Sequence, residues 1–390
     1  MPVRLTRLVL EQFRSYPAAE LHPDAGLTIV AGPNGAGKTN LLEAVFVTVT
    51  GRSHRAATDA ELVRHGAAFA RVRLDLTDDS ANPGSRVELV LPGVDAPAEI
   101  RKRLTVNGVA RRAQTVGDTV RAVLFRPEEM LLLVGSPSDR RRFMDAILAQ
   151  RDRRTARDLV ELARVLAQRN ALLRAIRREE ATEEGLAFWD EQLATVGARV
   201  LDARLALVRE LRERIGPLHD AVASRDERGM VVDLAYADTL KGHAAGIDAG
   251  DVEGLADAFR RRIAEARQKE LWNGMTLVGP HRDDLRATLA GRDVASHASR
   301  GQQRTIILAL KLAETDLLGE GGAPRPVVLL DDVFSELDRD RTERSLELLL
   351  ERGQVLVTMA DLEPLPAARR RSVPIWHVDD GRLSQAPRVA

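Results

Sequence analysis

The sequence contains no cysteine. That excludes a disulfide framework, a cysteine zinc site and a thiol nucleophile, and it agrees with a cytoplasmic setting. Aromatic residues are only 3% of the chain, too few for the base-stacking platforms by which single-strand binders grip bases. No run of 18 apolar residues occurs, so neither a transmembrane helix nor a membrane partner is expected. The opening MPVRLTRLVLEQF lacks the long apolar core of a signal peptide. An excess of one charge is missing too: 58 Lys and Arg balance 58 Asp and Glu. Any nucleic-acid surface must then be a local basic patch rather than a global field. What is present is 390 residues, 44% hydrophobic and 30% charged, a globular composition that is long for one domain and comfortable for two.

The most informative stretch is Gly32-Pro33-Asn34-Gly35-Ala36-Gly37-Lys38-Thr39, which satisfies G-x-x-x-x-G-K-[ST], the phosphate-binding loop. Leu27 to Ala31 reads as a buried strand entering the loop. Lys38 to Val49 reads as a helix leaving it, with Leu41, Leu42, Val45, Phe46 and Val49 on one face. The glycines permit a tight turn whose N–H groups converge on phosphate oxygens, and the helix N-terminus adds a favourable dipole. Lys38 would bring a point charge to the β- and γ-phosphates, and the Thr39 hydroxyl would ligate Mg2+. Asn40 follows in the same turn. ATP and Mg2+ are the expected cofactors.

Around this loop the chain alternates between strand-rich and helical stretches. Residues 3–31 read as three short strands, Val3 to Phe13, Ala18 to Leu21 after a turn at Phe13–Pro17, and the strand into the loop. Gly51-Arg52-Ser53-His54-Arg55 is a basic loop, either near the phosphates or a solvated connector. Residues 68–125 are β-rich, with strands at Ala70–Leu76, Arg86–Leu91, Arg103–Val106 and Arg121–Phe125 and a hairpin signal at Asn107-Gly108. Ser136, Pro137 and Asp139 make a helix start. From there to about Ala223 the pattern is helical, and two runs of apolar residues on either side of Gly185 predict an antiparallel helical hairpin. Arg140, Arg141, Arg142, Arg151, Arg153 and Arg154 form the most suggestive basic cluster, against the alternative of a solvated helix face. Further on, Arg228–Ala237 reads as a strand, Ala245–Gly254 as a linker and Leu255–Leu271 as a helix. Val278 to Asp284 is a compact polar loop before a strand at Asp284–Leu289. Gly301–Leu318 and Asp340–Glu351 read as helices, Val327–Asp331 and Gln354–Thr358 as strands, and Trp376–Val378 as a last edge strand.

Pro326 to Asp332 (PVVLLDD) is a Walker B pattern, an apolar strand carrying an acid to its C-terminal end, where α/β sheets hold ligands. Asp331 would hold Mg2+ opposite Thr39, and Asp332 would orient or deprotonate the attacking water. About thirty residues earlier, Ser299-Arg300-Gly301-Gln302-Gln303 starts a helix with a further potential anion site. Ser335-Glu336-Leu337-Asp338 follows the Walker B strand directly.

Taken together, GPNGAGKTN, SRGQQR, VVLLDDVFSELD and a strand ending in Thr358 resemble the ABC-type ATPase heads of the structural-maintenance-of-chromosomes group. Within that group the chain is similar to the RecF family of bacterial recombination mediators. Phe13 to Tyr16, Leu124 to Glu128, Gly135 to Arg142, Gly279 to Asp284 and Leu330 to Val333 carry the closer likeness. The resemblance implies an α/β fold, an ABC-type P-loop ATPase head with split lobes, a mixed sheet plus an antiparallel β region, and an inserted helical-hairpin arm. The expected boundaries are 1–135 for the lobe with the phosphate loop, 136–275 for the arm, and 276–390 for the lobe with the signature and Walker B. It further implies an ATP-dependent homodimer in which Ser299 and Gly301 of one molecule reach the γ-phosphate held by the other, with Gln302 also among the nucleotide-binding residues and Asp338 at the same interface. Arg14 and Ser15 would approach the nucleotide. Lys38, Ser299 and Asp332 would be the catalytic set, with Asp332 in place of the usual Glu predicting slow hydrolysis. The implied partners are gapped, single-stranded or duplex DNA and mediators of the RecO/RecR type, in DNA repair, replication and recombination. A Gln that senses Mg2+ in related heads has no counterpart at Phe125–Glu129, and Thr358-Met359-Ala360-Asp361 stands where a His usually follows. A subunit acting on a non-DNA partner, as in a transporter, is the alternative. The roughly ninety-residue arm argues against it, while limbs spanning about 60 Å are too short for a long-armed chromosome organiser.

Overall fold

The computed structural model describes residues 3–78, 84–363, 365 and 367–385. The chain divides into two compact units, one built from Met1–Met130, Leu218–Arg228 and Ile307–Ala390, the other from Leu131–Pro217 and Gly229–Ile306.

In the first unit the chain begins with β1 (Val3–Phe13), β2 (Tyr16–Leu21), β3 (Leu27–Ala31) and α1 (Lys38–Thr50). There follow β4 (Phe69–Asp78), β5 (Ser85–Pro92), β6 (Arg103–Val106), β7 (Val109–Ala110) and β8 (Ala122–Phe125). A six-stranded antiparallel sheet runs in the order β2-β1-β4-β5-β6-β7. Alternation sets its register: Leu8 and Leu10 of β1 and Val72, Leu74 and Leu76 of β4 point into one core with Leu41, Leu42 and Val45 of α1, and a bulge between Leu5 and Arg7 brings Leu5 to the same core. The Asn107-Gly108 turn closes β6 onto β7 with both residues in the left-handed region, φ 52° and 77°.

The second unit carries α2 (Pro137–Arg151), α3 (Arg153–Arg177), α4 (Leu186–Val222, its last turn in the first unit), β9 (Val232–Ala237) and α5 (Val252–Asn273). After these come β10 (Asp284–Leu289), β11 (Arg292–Asp293), α6 (Val294–His297) and the start of α7 (Arg300–Gly319). Ser136 caps α2 in a full capping box with Asp139, and Pro137 opens the first turn. The helical hairpin is antiparallel, since Asp158 of α3 pairs with Arg199 of α4 while Arg169, farther along α3, pairs with Asp190, nearer the start of α4. Leu162 and Val165 of α3, Leu193, Val196 and Val200 of α4, and Phe259 and Ile263 of α5 share one core. Charged residues that do enter it are matched: Arg169, fully buried, binds Glu270 at 2.6 Å and Thr276 at 2.9 Å.

Returning to the first unit, α7 completes its course and is followed by β12 (Val327–Asp331), α8 (Arg339–Arg352), β13 (Val355–Met359), α9 (Ala367–Ser372), β14 (Ile375–Asp379) and β15 (Arg382–Gln385). A second six-stranded sheet has the order β15-β14-β3-β13-β12-β8, parallel except for β15. Its central strands β3, β12 and β13 are buried at every position, as parallel strands covered on both faces should be. Trp376–Val378 is not the edge expected from the sequence. β14 lies between β3 and β15, and the edge is Arg382–Gln385. That strand is polar and short, without apolar alternation. The Asp380-Gly381 pair, with φ 42° and 70°, is its readable signal. Among the described residues no helix is long and apolar enough to cross a membrane.

Candidate nucleotide site

The phosphate loop leaves β3 at the C-terminal end of the parallel sheet and enters α1 at Lys38. Gly37 caps the helix in the left-handed region at φ 113°, and a Cβ there would stand 2.6 Å from Ser15 Oγ. Both facts demand glycine. The first bond of α1 runs from Leu41 N–H to the carbonyl of Gly37, and the N–H groups before it have no intrahelical acceptor, as an anion site at a helix start requires. Lys38 is buried, and its Nζ donates to the carbonyls of Gly32 at 2.8 Å and Pro33 at 3.0 Å. Burial draws its pKa down, against the pull of Asp332 and Asp331.

The two halves of the expected metal site meet. Thr39 Oγ1 donates to Asp331 Oδ1 at 3.0 Å across 292 residues of sequence. Asp331, only 6% exposed, also accepts from Thr358 Oγ1 at 2.7 Å. Asp332 turns off the strand with φ 51°, and its N–H is held by the carbonyl and hydroxyl oxygens of Thr358 at 3.1 and 3.2 Å. Thr358 therefore organises the acid pair, a role that its position at the strand end left unassigned in the sequence. Among the described residues no three of His, Cys, Asp and Glu gather as a cage for a metal. One carboxylate and one hydroxyl beside a phosphate loop fit Mg2+, which keeps much of its water and takes phosphate oxygens as ligands.

Behind the first turn of α1 lies a network that the sequence did not announce. Asn40 Nδ2 donates to Ser15 Oγ at 3.0 Å, and Tyr16 Oη donates to the carbonyl of Gly37 at 2.9 Å. These bonds pin the turn between β1 and β2 against the loop. Arg14 is directed elsewhere: its Nε and Nη2 donate to Glu43 at 3.0 and 3.1 Å and its Nη1 to the carbonyl of Glu61. Glu43, with no side-chain exposure, also accepts from Arg55 at 2.6 Å and Ser53 at 2.5 Å. Burial opposes its ionisation, but the bonds from Arg55, Arg14 and Ser53 prevail and hold the carboxyl down to about 2. Arg55 further donates to Asn40 Oδ1 at 2.7 Å. The basic loop 51–55 is thus wrapped on α1 rather than a free connector. Nothing in sequence marks Glu43, which reads as one more polar residue of an amphipathic helix.

The remaining expected site residues lie on two helix starts. Ser299 precedes α7 and forms reciprocal bonds with Gln302: its N–H donates to Gln302 Oε1 at 2.9 Å and its Oγ accepts from Gln302 N–H at 3.2 Å. Ser299 is exposed, and Gly301 is half-buried one residue into the helix. Asp338 caps α8, accepting from Arg341 N–H at 2.9 Å. Half of the basic cluster on α2 and α3 is drawn into the fold, while Arg142, Arg153 and Arg154 stay exposed. Arg140 is buried against Asp284 at 2.7 and 2.9 Å, Arg141 donates to the carbonyl of Asp283, Arg142 pairs with Asp139, and Arg151 pairs with Glu210. Two of the stretches singled out in sequence, Gly135–Arg142 and Gly279–Asp284, therefore hold each other.

The family described as RecF/RecN/SMC N terminal domain matches residues 4–382. A "DNA replication and repair protein RecF" from Herpetosiphon aurantiacus is 37% identical over 98% of this chain and 100% of that relative. One of the same name from Kineococcus radiotolerans is 40% identical over 94% and 95%. The solved structure of the recombination mediator protein RecF-ATPrS in the RecFOR pathway superposes with a TM-score of 0.87 at 27% identity, covering 99% of both chains. The fold is thus an α/β ATPase head of the SMC type with split lobes, a mixed sheet plus an antiparallel β region, and an inserted helical hairpin. With sequence and fold agreeing from end to end, the chain belongs to the RecF family within the RecF/RecN/SMC group.

Proposed function

We propose that the protein is an ATP-gated, DNA-binding recombination mediator, in which ATP joins two molecules and slow hydrolysis separates them. The observation that carries this reading is the Thr39–Asp331 hydrogen bond, which brings phosphate loop and Walker B acid to one point. Gly32 to Asn40 would cradle the phosphates, Lys38 would face the β- and γ-phosphates, and Thr39 with Asp331 would hold Mg2+. Bound there, Mg2+ offsets phosphate charge. Asp332, steered by Thr358, would orient the attacking water. Ser299, Gly301 and Gln302 of a second molecule would complete the site, and Asp338 would serve the same dimer interface. The helix start at Ser299 is exposed, which suits it to meet a phosphate brought by another molecule. Since ADP lacks the third phosphate, closure would report ATP specifically. Ser15, pinned to Asn40, would lie nearer the nucleotide than Arg14. The lobes 1–135 and 276–390 would share the nucleotide, with 136–275 as arm. Similarity to relatives named for replication, repair and the RecFOR pathway supports gapped, single-stranded or duplex DNA and RecO/RecR-type mediators as partners, in the cytoplasm.

Light scattering with ATP, ADP or no nucleotide, with and without gapped DNA, tests the reading. A dimer is expected with ATP and Mg2+ only. Lys38→Ala should abolish the response, and Ser299→Arg should keep ATP binding while blocking dimerisation. A wild-type protein that stays monomeric with ATP, Mg2+ and DNA would sink the gated dimer.

A further inference from the structure

Arg341 holds two acids at once. Its own N–H donates to Asp338 Oδ1 at 2.9 Å and its Nε stands 3.3 Å from Asp338 Oδ2. At the other end of the guanidinium, Nη2 donates to both oxygens of Glu227, at 3.0 and 2.9 Å. Arg341 and Glu227 are buried, whereas the Asp338 side chain is 59% exposed. Glu227 is itself fixed by the turn it closes, donating its N–H to Ser224 O at 3.2 Å while its Oε2 accepts from Ser224 N–H at 3.4 Å. Three residues along α8, Arg344 donates to the carbonyl of Ala223 at 2.8 Å. Residues 218–228 belong to the compact unit of α8 although the sequence on both sides of them belongs to the other unit. The segment therefore rejoins the ATPase unit where α8 begins.

We propose that Glu227 is a positioning residue for the dimer interface, acting through Arg341 on Asp338. A guanidinium is a rigid plane of donors. Fixing Nη2 fixes the plane, and with it the direction from which Nε approaches Asp338. With Glu227 neutral, the cation is drawn toward Asp338 and pulls its carboxylate inward. This inference rests on the reading of Asp338 as an interface residue.

The test uses the full chain and four variants, Glu227→Gln, Glu227→Asp, Asp338→Asn and the double Glu227→Gln/Asp338→Asn. Binding of a fluorescent ATP analogue is read separately from ATP-dependent dimerisation by light scattering. Glu227→Gln should bind the analogue like wild type yet dimerise at least tenfold more weakly. Glu227→Asp should retain dimerisation, and the double variant should be no weaker than Asp338→Asn alone. The inference fails if Glu227→Gln dimerises like wild type or if the two losses add. It also fails if Glu227→Asp and Glu227→Gln lose dimerisation together with a lowered melting temperature, which would make Glu227 merely structural. Unimpaired dimerisation of Asp338→Asn would instead bring down the interface reading beneath it.

Discussion

Glu43 is the sharpest place to test whether the bonds around α1 carry the energy their geometry implies. Gln is close to the protonated acid in shape, so Glu43→Gln measures what the charge contributes. The carboxyl falls from 4.5 to about 2 on folding, which corresponds to about 3 kcal/mol at pH 7. A figure for buried pairs lies in the same range: breaking one from one side costs about 3–5 kcal/mol, and here Arg14 and Arg55 lose the buried charge they share, while keeping the Glu61 carbonyl and Asn40 Oδ1. Because the folded pKa is depressed, the contribution is complete above about pH 5 and is lost as pH falls toward 2. The same linkage leaves roughly 1.5 kcal/mol at pH 3. The assay is urea unfolding followed by the fluorescence of Trp376, buried in β14 of the first unit, with Trp189 and Trp272 replaced by Phe in both proteins. Restricting the signal to one unit avoids reading two transitions as one. A loss below about 1 kcal/mol at pH 7, or a loss that stays equal at pH 7 and pH 3, refutes the reasoning.

Gln354, buried beside β13, accepts from Leu5 N–H and donates to the carbonyls of Leu5 and Asp24. Gln354→Leu should cost about 3 kcal/mol in the same Trp376 assay, and an unchanged midpoint would contradict it. Asp283 is pushed up to about 6 by burial, against hydrogen bonds from Tyr236 and Thr239. Its folded pKa is raised, so its contribution is complete below about pH 4 and lost as pH rises through 6, up to about 3 kcal/mol. Neighbouring His281, drawn down to about 4 by burial, loses stability in the opposite direction, as pH falls below 6.5. Melting Asp283→Asn across pH 4–8 should therefore show a flatter alkaline side than wild type, and parallel profiles would refute it. Gly37→Ala should weaken nucleotide binding at least tenfold, since φ 113° and Ser15 Oγ both reject a Cβ. Titration with a fluorescent ATP analogue would expose an unaffected variant.

Those parts of the fold that obey a local rule were legible in the sequence. The strand–loop–helix at 27–50, the apolar run into Asp331, the capping box at Ser136 and the Asn107-Gly108 hairpin all announce themselves within a few residues. The chain order of Walker A, helical stretch and Walker B made the split of the head legible as well. What was illegible depends on partners far away in the chain. Arg140 reads as part of a basic patch until Asp284 is seen against it, 144 residues on. Glu43 is unremarked until Arg14, Ser53 and Arg55 converge from two loops. Gln354 looks like a strand-end polar residue, yet it is the bolt between β1 and the chain before β3. Charge identity in a sequence does not tell whether a residue is spent inside the fold or free to meet a ligand.

Thr358 shows how the site itself depends on such a distant choice. β3 and β12, which deliver the phosphate loop and the acids, are not neighbours, because β13 lies between them. Thr358 sits near the end of β13 with Val30 on one side and Asp331 on the other. A long side chain there would part the two motifs, and a purely apolar one would leave Asp331 short of a donor. Its hydroxyl donates to Asp331 Oδ1 and accepts from Asp332 N–H, so one small polar group sets both acids. Thr358→Val keeps the shape and removes only the hydroxyl. Asp331 would retain Thr39, and Asp332 N–H would retain the carbonyl of residue 358. Nucleotide binding without Mg2+ should thus stay near wild type while the gain in affinity on adding Mg2+ shrinks about tenfold, in the range of supporting hydrogen bonds to metal ligands. Equal losses with and without Mg2+, measured by titration of a fluorescent ATP analogue, would show that Thr358 serves the sheet and not the acids.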